Sequence, residues 1–402
     1  MTRISDRRLE LRRDPLLTEK VVYSVGPQHP SLPAPVRLVV QADGELIERI
    51  TPQIGFLHRG VEQLCARRSY AQCAAMLSRC EWLAGSNADY LVSAAVEQLA
   101  GIEVPQRAQW QRMLVLELSR ILSHLFWWGQ LGLEAGQITA VFWALREREP
   151  GLDLLEMLSG QRWHHGWIVP GGVRREPPAE FYGALARFIG QVREALEHFE
   201  EFFSDNAIWV NRSELIGTLD ADFAQAHGAS GPVLRGSGVD HDLRRDAPYL
   251  QYDQVNFAVP VGEYGDVLDR YRVRMEEIRQ SLAIIAQCVE AIAHLTPEDN
   301  KIVGATHASP ERADQAGTTR ATHASPLQDV PPGEAYMAVE GPRGELGLSV
   351  VSEGGPGPAR MHLRSPSLYH LHLLDELCRG YLLADLFVIL GSLDIMIGEV
   401  DR

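Results

Sequence analysis

Cysteine is scarce in this sequence and is never paired at close spacing. Five cysteines occur in 402 residues, at positions 65, 73, 80, 288 and 378, and no two form a C-x-x-C. An odd, scattered set argues against a disulfide framework and for a reducing compartment. An excess of positive charge is missing too: 38 Lys and Arg stand against 53 Asp and Glu, for a formal net charge of -15. Nucleic-acid binders carry basic surfaces, so that class is disfavoured. Anionic lipid headgroups would repel the chain on average, so any membrane contact has to come from a local patch or from partner subunits. No uncharged apolar run of about 18 residues exists. The nearest, Gly380 to Gly398, carries Asp385 and Asp394 and a Gly-Ser break, and reads as a buried helix, a turn and a tail. The start, MTRISDRRLELRRDP, has no apolar centre and does not read as a secretory signal.

Hydrophobic residues are plentiful at 45%, enough for a large core. Residues 20–54 alternate apolar with polar side chains. Asp43-Gly44 marks a turn that would pair 36–40 with 46–50 as antiparallel strands. Beyond this the helical period takes over. Leu268, Tyr271, Met275, Ile278, Leu282, Ile285, Val289 and Ile292 recur at three- and four-residue steps, the stripe of a core helix over 266–293. A second long helix over 107–133 is apolar on most faces, yet Glu117, Arg120 and His124 share one side of it. Buried ionisable groups need partners. They read either as a satisfied structural network or as a charge path toward a redox site. Further helices are expected at 61–79, 86–100, 178–204 and 367–390, and short strands in GELGLSVVSE and PARMHLRSP.

Residues 297–335 break the pattern. ATHASP occurs twice, at 305–310 and 321–326, among small and charged residues. Such a stretch buries too little apolar area to offset its ordering entropy and reads as an exposed insertion. His307 and His323 have few other ligand types near them, which argues against a metal site. The resulting division is a basic N-terminus (1–19), a β-hairpin domain (20–60), a helical bundle (61–296), the insertion (297–335) and C-terminal strands, helix and tail (336–402).

Ten strings, in order, carry a resemblance. Among them are GPQHPSLPAPVRL (26–38), IGFLHRGVEQL (54–64), FWALREREP (142–150), PGGVRREPP (170–178), GPRGELG (341–347) and GSLDIMIGEVDR (391–402). Together they resemble the D-subunit family of proton-pumping NADH:quinone oxidoreductase, respiratory complex I, over almost the whole chain. The resemblance implies an α+β, mainly α fold like that of the [NiFe]-hydrogenase large subunit: a helical bundle with a small N-terminal antiparallel β domain and a second small β element near the C-terminus. Hydrogenases hold nickel and iron with two C-x-x-C pairs. Soft thiolates are what such a centre requires, and their lack here excludes that activity on ligand chemistry.

The resemblance further implies a peripheral-arm subunit on the cytoplasmic side of the cell inner membrane. Its partners would be subunits B, C, I and H. Quinone would be reduced in a cavity shared with the B subunit, whose [4Fe–4S] cluster supplies electrons, while NAD and FMN act elsewhere in the complex. This chain itself would bind no metal or cofactor. Reducing a quinone places negative charge on two carbonyl oxygens, so donors at the headgroup must stabilise it and supply protons. The family uses a histidine and a tyrosine. Aligned without gaps, the histidine falls on Pro33, which has no donor, and the tyrosine on Trp82. The family's acidic partner appears as Glu134. His29, Trp82 and Glu134 are therefore the quinone-binding candidates. His58, Arg59 and His164 match positions near the partner's cluster, where positive charge raises the potential and a histidine suits proton uptake. Val169 stands where arginine is usual. The altered positions leave a second reading: a scaffold or coupling paralogue in a complex I-like or hydrogenase-related membrane assembly with another electron donor.

Overall fold

The computed structural model describes residues 20–32, 34–296 and 329–402. The basic N-terminus, Pro33 and the two ATHASP copies lie outside the described residues.

The N-terminal sheet has the antiparallel order β1 (Lys20–Val25), β2 (Arg37–Asp43), β3 (Leu46–Gln53). Alternation in β2 buries Leu38, Val40 and Ala42 on one face. Val40 pairs with Ile50, and a register shift at Gln41/Ala42 brings Ala42 opposite Ile47. Asp43 and Leu46 close the hairpin, so the two-residue turn is Gly44–Glu45, one position later than Asp43-Gly44 suggests. Gly44 takes the positive φ of 61° that the turn requires.

The helices follow as α1 (Val61–Cys65), α2 (Tyr70–Leu77), α3 (Ser86–Ala100), α4 (Gln106–Glu134), α5 (Ile138–Ser159), α6 (Phe181–Phe199), α7 (Ala207–Ser213), α8 (Ala221–Ala226), α9 (Gly231–Gly236), α10 (Leu243–Asp246) and α11 (Val267–Ala293). Between α5 and α6 lies a small hairpin, β4 (Ile168–Val169) and β5 (Gly172–Val173). A second sheet, β6 (Gly333–Gly341), β7 (Gly344–Ser352) and β8 (Arg360–Arg364), is antiparallel throughout. The chain closes with α12 (Pro366–His372), α13 (Leu374–Cys378), α14 (Leu383–Leu393) and α15 (Ile397–Val400). This is the mainly α fold with small antiparallel sheets at either end that the resemblance implies.

Helix α4 is the axis, packed along α5, α11 and α14. Its approach to α5 needs glycine. A Cβ on Gly132 would lie 2.3 Å from Ala140 Cβ, and one on Gly129 would lie 2.8 Å from Ala144 Cβ. On α11 the expected stripe is buried, with Val289 partly so. Asp266, the first residue of the expected span, caps this helix, accepting from Asp269 N at 2.8 Å.

Several boundaries differ from expectation. The helix read over 61–79 is two, because Ser69 forms a capping box with Gln72 and starts a new one. The span 178–204 is α6 followed by a π-helical turn, Glu200–Ser204. The span 367–390 is divided among α12, α13 and α14. Helix α5 has no counterpart among the expected helices, because Pro150 inside it hides the pattern. Strand β6 begins at Gly333, and Val330 pairs with Gly355, so the last residues assigned to the insertion belong to folded structure.

Candidate functional site

The loop between β3 and α1 carries His58 and Arg59, both exposed, together with the exposed apolar Ile54 and Phe56. Its shape is fixed by the last residues of the chain. Asp401 accepts from Gly55 N and Leu57 N, each at 2.7 Å, and its carbonyl accepts from His58 Nδ1 at 2.8 Å. That contact requires the hydrogen on Nδ1. Arg59 reaches inward, and its Nη2 donates to Cys80 Sγ at 3.8 Å. All five cysteines are free thiols and buried.

His164 belongs to the same neighbourhood. It sits at a positive φ of 54°, a backbone state non-glycine residues seldom adopt. Burial, then the positive charges of Arg79 and Arg59, hold its pKa below the usual histidine value, opposed by a hydrogen bond with the Ser78 backbone. Its Nδ1 is buried without a partner among the described residues. Behind it, Asp89 on α3 is fully buried and accepts from Gly166 N at 3.1 Å. Burial pushes Asp89 up to about 7, against the pull of that hydrogen bond and of Arg174 and Arg79. Trp82 packs edge-on to Phe126 (5.6 Å between centroids) and tilted against Trp163 (5.4 Å), whose ring lies 4.8 Å from the Arg148 guanidinium. The structure thus brings Arg59, Cys80, Trp82, Trp163 and His164 into one region.

His29 and Glu134 meet in a second region. The His29 ring stacks on Phe387 of α14 at 5.1 Å and 1°. Its Nδ1 accepts from Ser31 N at 3.2 Å. Ser31 turns its hydroxyl to Glu134 at the end of α4, where burial lifts the carboxyl to about 7 despite that hydrogen bond. A Cβ on Gly391 would lie 3.4 Å from Glu134 Cγ, so α14 lies against this carboxylate. Trp127 Nε1 donates to the Gly391 carbonyl at 2.8 Å. Trp82 packs on a different set of rings, Phe126 and Trp163. The three quinone candidates therefore fall into two groups.

Between the groups runs a buried ion cluster. Arg343 Nη1 donates to both oxygens of Glu81 at 2.8 Å; its Nη2 reaches Asp394 Oδ1 at 3.2 Å and its Nε the Asp394 carbonyl at 2.9 Å. Close by, burial and the Glu81 charge push Glu399 up to about 8, opposed by Arg343 and Ser367.

Glu117, Arg120 and His124 on α4 join a separate, deeper network. Glu117 accepts from Arg120, Arg244, Tyr252 and Ser281. Burial would raise its pKa, but Arg120 and Arg244 outweigh it and hold it at about 2. His124 Nε2 meets Glu277 at 2.8 Å, and Glu277 also takes Arg235 at 2.6 Å. Arg235 in turn reaches Glu340 and Asp242. Among the described residues, the network is hydrogen-bonded apart from His124 Nδ1, as a structural core requires. The Val169 side chain brings no charge, but its carbonyl accepts from Arg112 at 2.7 Å.

Ser31, Asp89, Arg343 and Asp401 do not stand out in the sequence. Asp401 belongs to the C-terminal string and Arg343 to GPRGELG, but nothing in either string names a partner hundreds of residues away.

Comparison with known proteins places this architecture. A family model described as the respiratory-chain NADH dehydrogenase, 49 Kd subunit, matches residues 134–402. The NADH-quinone oxidoreductase D subunit of Wolbachia sp. subsp. Brugia malayi is 41% identical over 384 residues, 95% of this chain and 98% of the relative. The D subunit of Citrifermentans bemidjiense is 40% identical over 389 residues, 96% of this chain and all of the relative. That of Geobacter sulfurreducens is 41% identical over 394 residues, 96% and 99%. The chain belongs to this family, the 49 Kd or D subunit of NADH-quinone oxidoreductase.

Proposed function

We infer that this protein forms, with an iron–sulfur B subunit, the cavity in which a complex I reduces quinone. The observation that carries the reading is the convergence of Arg59, Trp82 and His164 beside a loop with exposed Ile54 and Phe56. An apolar, basic loop set in place by Asp401 suits a protein neighbour that carries a cluster. Arg59 would favour the reduced cluster by its charge. His164, whose pKa burial and nearby arginines lower, would take up a proton when negative charge arrives nearby.

His29, Ser31 and Glu134 would serve the headgroup. Glu134 titrates near neutrality, so it can hold a proton and pass it through Ser31, an arrangement suited to general-acid work. Trp82 offers an indole N–H but no transferable proton. The chain would lie peripherally on the cytoplasmic side of the cell inner membrane, with subunits B, C, I and H as neighbours, and proton translocation would occur in the membrane arm. NAD and FMN would act in other subunits, and the chain itself would bind no metal. No helix among the described residues is long and apolar enough to cross a membrane.

The separation of Trp82 from His29 and Glu134 favours one second reading, a scaffold or coupling role in an assembly with another electron donor. The deciding experiment is purification of the chain with its neighbours and assay of quinone reduction. Quinone-dependent turnover that loses its pH dependence near 7 in Glu134→Gln supports the cavity. Absence of an iron–sulfur protein from the purified assembly, or turnover indifferent to changes at Glu134 and His164, sinks it.

A further inference from the structure

We propose that Arg343 is a positioning residue of the quinone site, a single buried guanidinium that fixes the Trp82 segment and the end of α14 relative to each other. This rests on the functional reading above and adds to it a residue that touches none of the reacting atoms.

The geometry is restrictive. Glu81 precedes Trp82, and one Glu81 oxygen also accepts from Ala84 N at 3.0 Å, so its carboxylate shapes the turn that aims the indole. On the other side, Asp394 is the C-cap of α14 and sits at φ 55° and ψ 56°. A left-handed residue other than glycine is a strained backbone state that persists only where its surroundings hold it. Arg343 holds it twice, through the carboxylate and the carbonyl. Helix α14 supplies both the Phe387 ring under His29 and the Gly391 backbone beside Glu134. Arg343 is thus bonded at one end to the neighbour of Trp82 and at the other to the helix that supports His29 and Glu134.

The arginine is itself firmly placed. It occupies the two-residue turn between β6 and β7, and that turn is wedged against α9: a Cβ on Gly344 would come within 2.5 Å of Ser230 Oγ, and one on Gly231 within 2.3 Å of Gly344 Cα. Arg343 and Glu81 are 1% and 3% exposed, so water does not screen the pair. The planar fork matters as much as the charge. Three nitrogens serve two residues in different directions, which a lysine ammonium cannot reproduce.

The test uses the assembled complex in membranes, with Arg343→Lys, Arg343→Met and Glu81→Gln. Two rates are measured: reduction of a short-chain quinone, with KM and kcat resolved, and reduction of a hydrophilic metal-complex acceptor that takes electrons without the quinone cavity. Arg343→Lys keeps the charge, so the complex assembles. Its quinone KM rises or its quinone kcat falls by about tenfold, as expected for a displaced headgroup site, while the hydrophilic-acceptor rate is unchanged. Glu81→Gln gives a loss in the same direction, and combining it with Arg343→Lys adds little, because both break one contact. Loss of assembly in Arg343→Met agrees with a buried ion cluster stripped of its cation. Normal quinone kinetics in Arg343→Lys, or equal losses with both acceptors, overturns the proposal. A complete absence of quinone reduction by the unaltered complex removes the functional reading, and this role with it.

Discussion

The carboxylate of Asp89 lies under the backbone of Gly166, accepting its N–H at 3.1 Å, two residues from the strained His164. Its pKa is raised by burial to about 7 from an ordinary value near 4. A carboxyl raised in the folded state contributes most below its unfolded pKa, and that contribution is lost as pH rises through the folded one. Asp89 therefore makes the fold less stable as pH climbs from about 4 to 7. Asp89→Asn removes this contribution. Thermal unfolding across that range should be flatter for the variant than for the parent, and an unchanged slope would contradict the assignment. Glu134 and Glu399 titrate in the same direction, so part of the slope remains.

Asp401 fastens the loop that bears His58 and Arg59. Asp401→Ala removes two charge-assisted acceptors, each worth about 1.5–3 kcal/mol. Hydrogen exchange at Gly55 and Leu57 should accelerate strongly while exchange in α4 stays slow. Equal protection in variant and parent would mean that the loop is held by something else.

Gly132→Ala sets a helix gain of about 1 kcal/mol against a clash with Ala140. The Cβ separation of 2.3 Å is far inside van der Waals contact, so overpacking should win, with a net cost of about 1–3 kcal/mol. Adding Ala140→Gly should recover most of it. A stabilised single variant would refute the close helix approach.

Glu277→Gln keeps the shape of the side chain but takes away the carboxylate partner of His124 and one of the three of Arg235. Breaking a buried pair in this way costs about 3–5 kcal/mol. Asp240→Asn, which loses only the exposed pair with Arg245, should cost less than about 1 kcal/mol. Denaturant midpoints of the two variants decide, and similar shifts would mean that the deep network is not a stabilising unit.

Local pattern carries much of the fold. The stripe of α11 can be read because one face meets the core for its whole length, and β2 with β3 because alternation leaves one register that buries Leu38, Val40 and Ile50. The break at Ser69 is also written in the sequence as Ser-x-x-Gln, but apolar residues on both sides suggest one continuous helix. Helix α5 escapes such a reading because a helix tolerates proline when its neighbours supply the packing. At the site, motifs name single positions. They do not give the grouping: Glu81 and Arg343 are 262 residues apart, and Asp401 meets Leu57 across 344. Such contacts follow from the closure of the whole fold, which no window of sequence contains.

The concealed thiols have a practical use. Because Cys65, Cys73, Cys80, Cys288 and Cys378 are all shielded in the folded chain, a maleimide reagent should react slowly with the native protein. A cysteine introduced at Phe56 or Phe142, both well exposed, could then take a fluorescent or spin label alone. Mapping which neighbour approaches each face would need no prior removal of the natural sulfurs.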